Sequence, residues 1–378
     1  MAILGLRHRP SGLNAHFTGA DGTFSDYVQQ MKAMLREAHA GKNEEESLVA
    51  GNAPFELFPP ESFRRPGARP YRRGIVLTHG LSDSPYHMRH LAAFFQRNGF
   101  RVMTVLLPGH GTQPGDLLHV RWREWLRAAA YAADCMAAEV EELYLGGFSA
   151  GGALSLLQAA HDDRVRGLFL FSPALEITSR ARWAGLHHLY SWLRPEAAWV
   201  SVLLDRDPYK YESFCKNAAA QMHALTRSLP SVAPDIPVFA AASAEDVTVH
   251  ASATWRFIQQ ARHPHKHLVW YATAKAEAPQ VEWLDSALPA QRILSSAHTA
   301  VVMSPQDPHY GAAGEYVNCL HYQAADGSRY RACLAVQDAW LGELTPANLA
   351  HGLLRRLMYN PHYAQLEASL QTFIEGLP

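Results

Sequence analysis

The sequence predicts an α/β protein built on a mostly parallel, doubly wound sheet with an inserted cap, and three observations predict it. Short apolar, β-rich runs recur from residue 74 onward: "GIVLTHG", "FRVMTVLLP", "ELYLGGFS", "VRGLFLFSP", "IPVFAAAS" and "RILSSAHT". Near-continuous runs of this kind suit strands covered on both faces, as in a parallel sheet. Helical patterns separate them; "YHMRHLAAFFQRNG" and "WREWLRAAAYAADCMAAEV" carry apolar residues at helical spacing, and the first stops at Gly99 as helices commonly do. Repeated β-α-β order of this sort argues a doubly wound sheet. The third observation is an interruption: residues 176–234 are rich in Trp, Leu and Arg and are bounded by Pro173 and Pro234, which reads as a cap inserted between two core strands.

Taken in order, residues 1–70 form an N-terminal extension. It holds one amphipathic helix, "FSDYVQQMKAMLREAHA", an edge strand at "PFELF" and a Pro-rich passage ending "PPESFRRPGARP". Residues 71–175 are the first part of the core, 176–234 the cap, 235–304 the second part of the core and 305–378 a C-terminal extension. In that last segment Asp326-Gly327 suits a tight hairpin turn, and "HYAQLEASLQTFIEG" reads as a final helix. The hairpin would set Cys319 opposite Cys333. A disulfide and a pair of reduced thiols both fit there, and a cytoplasmic setting favours the thiols. Cys135 and Cys215 have no sequence neighbour and read as free thiols. No internal repeat or low-complexity tract is visible.

Composition excludes several classes. Among 378 residues, Lys and Arg number 34 against 35 Asp and Glu, a formal net charge of -1. No basic excess exists to neutralise a phosphate backbone, so nucleic acid is not expected as a partner. The opening "MAILGLRHRP" reaches His8, Arg9 and Pro10 before a signal-peptide core forms. No later apolar run approaches the roughly 18 to 20 residues that span a bilayer. The expectation is a soluble, cytoplasmic protein without an integral membrane segment, its oligomeric state left open. Histidine is abundant, at 21 residues, and "HPHKH" at 263–267 invites a metal reading. No nearby carboxylate or cysteine completes a ligand set, so neither metal nor organic cofactor is expected. His87 and His90, three apart on a helical pattern, are expected on a solvated face.

The stretch "LYLGGFSAGGALSLL", residues 143–157, carries the chemistry. Gly147-Phe148-Ser149-Ala150-Gly151 follows a strand and opens a helix, the setting of a nucleophile elbow, where a sharp turn exposes the serine and demands neighbours without bulk. A serine hydroxyl needs a positioned base, and the base needs an orienting acid. Both are expected downstream at the ends of later strands. "IPVFAAASAEDVTVHASATWRF" offers Asp246, with Glu245 as its rival, and "RILSSAHTAVVMSP" offers His298 directly after the last strand. Asp285, in the segment between them, is a second rival for the acid. The oxyanion formed by attack on a carbonyl needs backbone donors; the Ala150 N–H is one, and the Leu81 N–H, after "IVLTHG", is the second. His79 reads as a residue that shapes that loop rather than as a base. In the cap, Trp183, Leu186, Tyr190 and Leu193 recur at helical spacing, either as core packing or as an apolar roof over an acyl pocket.

At this point "LTHGLSDS", "LLPGHGTQPGDL", "GGFSAGG", "SAEDVTV" and "SSAHTA" resemble the corresponding motifs of the α/β-hydrolase superfamily, in particular its monoacylglycerol lipase and bacterial carboxylesterase branch, often labelled lysophospholipase-like. The resemblance covers about residues 74 to 304. It implies an α/β-hydrolase fold, with Ser149 as nucleophile, Asp246 as acid, His298 as base, and Leu81 and Ala150 as oxyanion donors. The chain departs from the family in a long gap between Asp246 and His298. The function expected is hydrolysis of a small-molecule ester, with an apolar acyl chain, through an acyl-serine intermediate. A thioesterase or amide hydrolase would use the same residues, and a non-catalytic binding scaffold is the alternative of another class.

Overall fold

In the computed structural model, which describes residues 4–17, 22–189, 191, 193–231, 233–323 and 325–378 without the side chains of 187–189, most of the apolar runs become buried strands. The chain divides into two compact units, residues 1–168 with 177–231, and residues 169–176 with 232–378.

In the first unit, β2 (Tyr71–Thr78), β3 (Phe100–Val105) and β4 (Val140–Phe148) lie parallel, with Ile75 opposite Val102 on one side and Tyr144 on the other. Each of these three side chains is buried, as the unbroken apolar pattern required. The "PFELF" strand forms as β1 (Glu56–Leu57), antiparallel to β3 at the sheet edge. Buried Arg101 ties that edge down, pairing with Glu56 and, at 2.8 Å, with Glu139. Helix α1 (Phe24–His39) starts at a capping box in which Thr23 and Asp26 satisfy each other's backbone N–H. Helices α2 (Glu45–Asn52), α3 (Arg89–Arg97), α4 (Trp122–Glu139) and α5 (Ala150–Ala159) follow. Residues 1–70 are more than an appendage. Asn14 donates to the Leu107 and His110 carbonyls, and the Tyr27 hydroxyl to that of Leu106, so the extension fastens the "LLPGHG" loop.

Strand β5 (Val165–Phe171) begins in the first unit and ends in the second. The cap region of the first unit holds a 3-10 helix (Ser179–Leu189), an antiparallel pair β6 (Trp199–Ser201) and β7 (Phe214–Cys215), and α6 (Lys216–Thr226), on which the 3-10 helix packs.

In the second unit β8 (Val238–Ser243), β9 (Lys266–Ala272) and β10 (Val281–Asp285) are parallel, with α7 (Ala251–Gln260) between the first two. The strand order is β1-β3-β2-β4 within the first unit and β8-β9-β10 within the second, the mostly parallel α/β arrangement expected. Residues 305–378 supply α8 (Leu320–Gln323), α9 (Gly327–Ala335), β11 (Trp340–Gly342), α10 (Pro346–Leu349), β12 (Leu354–Arg356) and α11 (Tyr363–Glu375), the last being the expected final helix.

Three expectations are corrected here. "RILSSAHT" does not form a strand of the main sheet; its Ile293 makes only isolated bridges, to Leu288 and to Leu341 of β11. The Asp326-Gly327 hairpin is absent, because Asp326 instead caps α9 by accepting the N–H groups of Ser328 and Arg329. Cys319 and Cys333 are bonded to each other, with Cα atoms 6.1 Å apart. Cys135 and Cys215 are free, as expected. No described helix is long and apolar enough to cross a membrane.

Candidate active site

Ser149 sits between β4 and α5 with φ 53° and ψ -114°, a conformation that L-residues avoid unless the surroundings hold it. The glycines explain how it is held. A Cβ on Gly147 would lie 2.3 Å from the Gly151 carbonyl carbon, and one on Gly151 only 2.0 Å from the Thr78 oxygen. The start of α5 therefore abuts the end of β2, and side chains at either position would force them apart. Ala150, buried, opens α5, so its N–H is one of the helix-terminal donors without an intrahelical acceptor. Leu81 lies in the turn after β2; among the described residues its N–H donates to no protein group.

The loop carrying Leu81 is fixed by histidines and by the cap. The Leu107 N–H donates to His79 Nε2 at 3.1 Å, which leaves His79 Nδ1 as the donor to the Gly80 carbonyl at 2.8 Å. Burial and the neighbouring His110 hold the His79 imidazole well below its ordinary value, so it is a neutral structural group, as expected. His110 accepts the Ser82 N–H at 3.0 Å and is itself pushed down to about 4 by burial. The Tyr211 N–H donates to the Ser82 carbonyl at 2.8 Å, and Lys210 pairs with buried Asp83. Lys210, Tyr211 and His110 went unrecognised in the sequence, although the "LLPGHG" motif held His110. His87 corrects the expectation of a solvated face: it is fully buried, 3.9 Å from Asp83, whereas His90 is half-buried.

In the second unit, Asp246 lies in the loop after β8 and His298 opens a 3-10 turn (Thr299–Val302). The structure brings these two together, His298 Nδ1 donating to Asp246 Oδ2 at 2.5 Å. The other carboxylate oxygen accepts the N–H groups of Thr248 and Val249 at 2.7 and 3.0 Å. Burial by itself raises the Asp246 carboxyl, but the His298 charge and these hydrogen bonds outweigh it and leave the group below its ordinary value. Neither rival acid touches the histidine in this way. Glu245 accepts from Thr273 and Ser286, and exposed Asp285, at the end of β10, accepts the Ala287 N–H.

The cap residues divide. Trp183, Leu186 and Leu193 are 59%, 47% and 66% exposed, which removes the core-packing reading for all three; Tyr190 lies outside the described residues. In "HPHKH", His265 bonds the Phe373 carbonyl and His267 bonds Glu282; among the described residues no group of three or more His, Cys, Asp or Glu is placed to hold a metal ion.

A strained serine between a parallel strand and a helix, within a mostly parallel sheet, defines the class as an α/β-hydrolase. Residues 69–275 match the family described as serine aminopeptidase, S33, and the chain belongs to that family of hydrolases. Over 108 residues it is 28% identical to the thermostable monoacylglycerol lipase of Bacillus sp. strain H-257, a match taking in 29% of this chain and 43% of the lipase. The chain thus spans less than half the length of that relative. Among solved structures, one of the metagenome-derived lipolytic enzymes LipS and LipT superposes with a TM-score of 0.48 at 23% identity, covering 58% of this chain and 87% of that one. The monoacylglycerol lipase of Paleococcus ferrophilus does so with a TM-score of 0.45 at 18% identity, covering 60% and 91%.

Proposed function

We propose that the protein is a serine hydrolase of carboxylic esters, of the carboxylesterase or monoacylglycerol lipase type. The observation that carries this reading is the buried Asp246–His298 pair at 2.5 Å, which fixes one imidazole tautomer and leaves Nε2 as the nitrogen that takes a proton. Ser149 Oγ attacks the ester carbonyl carbon as His298 Nε2 removes its proton. The oxyanion is stabilised by the N–H groups of Leu81 and Ala150. Collapse breaks the acyl–oxygen bond, and the imidazolium protonates the leaving alcohol. Water, deprotonated by His298, then attacks the acyl-serine; the proton returns to Ser149 as the acid departs. Every bond change and proton transfer is assigned to these side chains, with no cofactor.

The substrate in this reading is a small ester with an apolar acyl chain, for which the cap residues Trp183, Leu186, Tyr190 and Leu193 are the proposed apolar contacts. The family description favours a second reading, hydrolysis of an amide with the same residues. The five segments 1–70, 71–175, 176–234, 235–304 and 305–378 remain the proposed domain organisation. Cytoplasmic residence belongs to the same proposal, and the Cys319–Cys333 bond is the observation that weighs against it.

The test is labelling with a fluorophosphonate probe, together with kcat/KM on nitrophenyl esters from acetyl to decanoyl and on aminoacyl nitroanilides. Wild type should label and hydrolyse esters, whereas Ser149→Ala should do neither while melting as a folded protein. An unlabelled wild type would favour a binding scaffold, and turnover confined to nitroanilides would favour the amide reading.

A further inference from the structure

The C-terminal segment, outside the α/β-hydrolase motifs, buries a carboxylate completely. Glu343 is 0% exposed, and both of its oxygens are engaged. Oε2 accepts the His298 backbone N–H at 3.0 Å and Arg356 Nη2 at 2.8 Å; Oε1 accepts the Leu344 N–H at 2.8 Å and lies 2.8 Å from Arg356 Nε. The same Arg356 Nη2 donates to Thr248 Oγ1 at 2.7 Å, and the Thr248 N–H donates to Asp246 Oδ1. One carboxylate–guanidinium pair therefore touches the loop that bears His298 and the loop that bears Asp246.

Burying such a pair is an inefficient way to gain stability, since well-packed apolar residues of similar volume commonly do as well or better. What the pair supplies is direction. Residues 292–297 have no ladder in the main sheet; Ile293 bridges to Leu288, and further holds on the segment come from residues 341–348. The Leu294 N–H donates to the Leu341 carbonyl at 2.8 Å, the Glu343 N–H to Ser295 Oγ at 3.1 Å, and Asn348 Nδ2 to the same oxygen at 2.9 Å. Ser172 Oγ holds the His298 carbonyl at 3.1 Å, so both ends of that residue's backbone are pinned.

We infer that Glu343, oriented by Arg356, is a positioning residue for His298, which makes residues 305–378 part of the catalytic apparatus. The inference rests on His298 being the general base proposed above. A misplacement of about 1 Å at a reacting group reduces turnover on the order of 100-fold. Glu343→Ala should accordingly lower kcat for nitrophenyl butyrate about 10- to 100-fold with KM changed less than about twofold. Glu343→Gln, which keeps an acceptor oxygen for the His298 N–H, should recover at least about fivefold of that loss.

The control is His298→Ala, whose small residual rate should fall no further when either Glu343 substitution is added, because the positioned group is gone. Thermal melts by circular dichroism report the folded fraction of each variant. A kcat within about twofold of wild type in Glu343→Ala, or an equal fractional loss in the His298→Ala background, overturns the inference. If Glu343→Ala does not fold, Glu343→Gln and Arg356→Lys carry the test. Glu343→Gln should lower kcat about two- to twentyfold and Arg356→Lys about three- to tenfold, and wild-type kcat in both overturns it. Full activity in His298→Ala would instead overturn the base assignment on which the inference depends.

Discussion

Asp246 shows how much a single residue can be asked to do. Its carboxylate orients an imidazole with one oxygen and organises its own loop with the other. Removing the charge while keeping the shape should therefore expose the first task alone. Asp246→Asn is expected to lower ester turnover roughly 10⁴-fold, as the same change does in serine-protease triads, because the amide favours the wrong tautomer. Asp285→Asn should leave kcat within about twofold, since Asp285 is exposed and bonded to Ala287; stopped assays on the two variants give the ranking, and a reversed order would relocate the acid. The residues of this kind were legible in sequence because each sits in a short motif whose neighbours serve it, as the glycines serve Ser149. Glu343 was not legible. It lies 45 residues from His298 in a stretch with no motif, and its role depends on Arg356, a second residue that sequence does not link to it.

At the scale of elements, the contact between the start of α5 and the end of β2 is the tightest constraint on the serine turn. A methyl at Gly151 would meet the Thr78 oxygen at 2.0 Å and the His79 oxygen at 2.8 Å, both backbone atoms that cannot rotate away. Gly151→Ala should destabilise the protein by roughly 3 kcal/mol or more, read as a lowered urea midpoint, with activity falling alongside. Gly185→Ala is the control: its nearest neighbour is the Ala220 Cβ at 4.0 Å, and its midpoint should shift little. A tolerated Gly151→Ala would mean that the elbow has slack. The buried strands were legible because their apolar runs are short, β-rich and bounded by turn residues, which suits a strand covered on both faces better than a helix. Two local patterns misled for a physical reason. Asp-Gly serves a tight hairpin and a helix N-terminus equally well, and at 326–327 the helix won through the Asp326 side chain. Ile293 and Leu294 share the apolar character of a core strand, but their pairing partner, Leu341, comes from the far end of the chain.

For the molecule as a whole, the histidines held neutral by burial set the response to acid. His79, His110 and His39 are all pushed down chiefly by burial, His110 to about 4. In the unfolded chain each would take up a proton near pH 6.5. Between that value and its folded value, the unfolded state binds more protons than the native state, so stability rises with pH across the interval. The contribution is fully present above about pH 6.5 and is lost as pH falls toward the folded value. For His110 the interval from 6.5 to about 4, at 1.36 kcal/mol per pH unit, corresponds to on the order of 3 kcal/mol. The carboxylates held low, Asp83 and Asp246, act in the same direction but only once pH drops below the ordinary carboxyl range. Melting curves should therefore show Tm nearly level above pH 7 and falling steadily between pH 6.5 and 5, before the carboxylates held low begin to protonate. His110→Gln, which offers an amide where the imidazole accepts the Ser82 N–H, should flatten that fall even where it lowers Tm at pH 7. An unchanged slope in the variant, or a wild-type Tm that stays level down to pH 5, would show that these rings are already accommodated in their charged form.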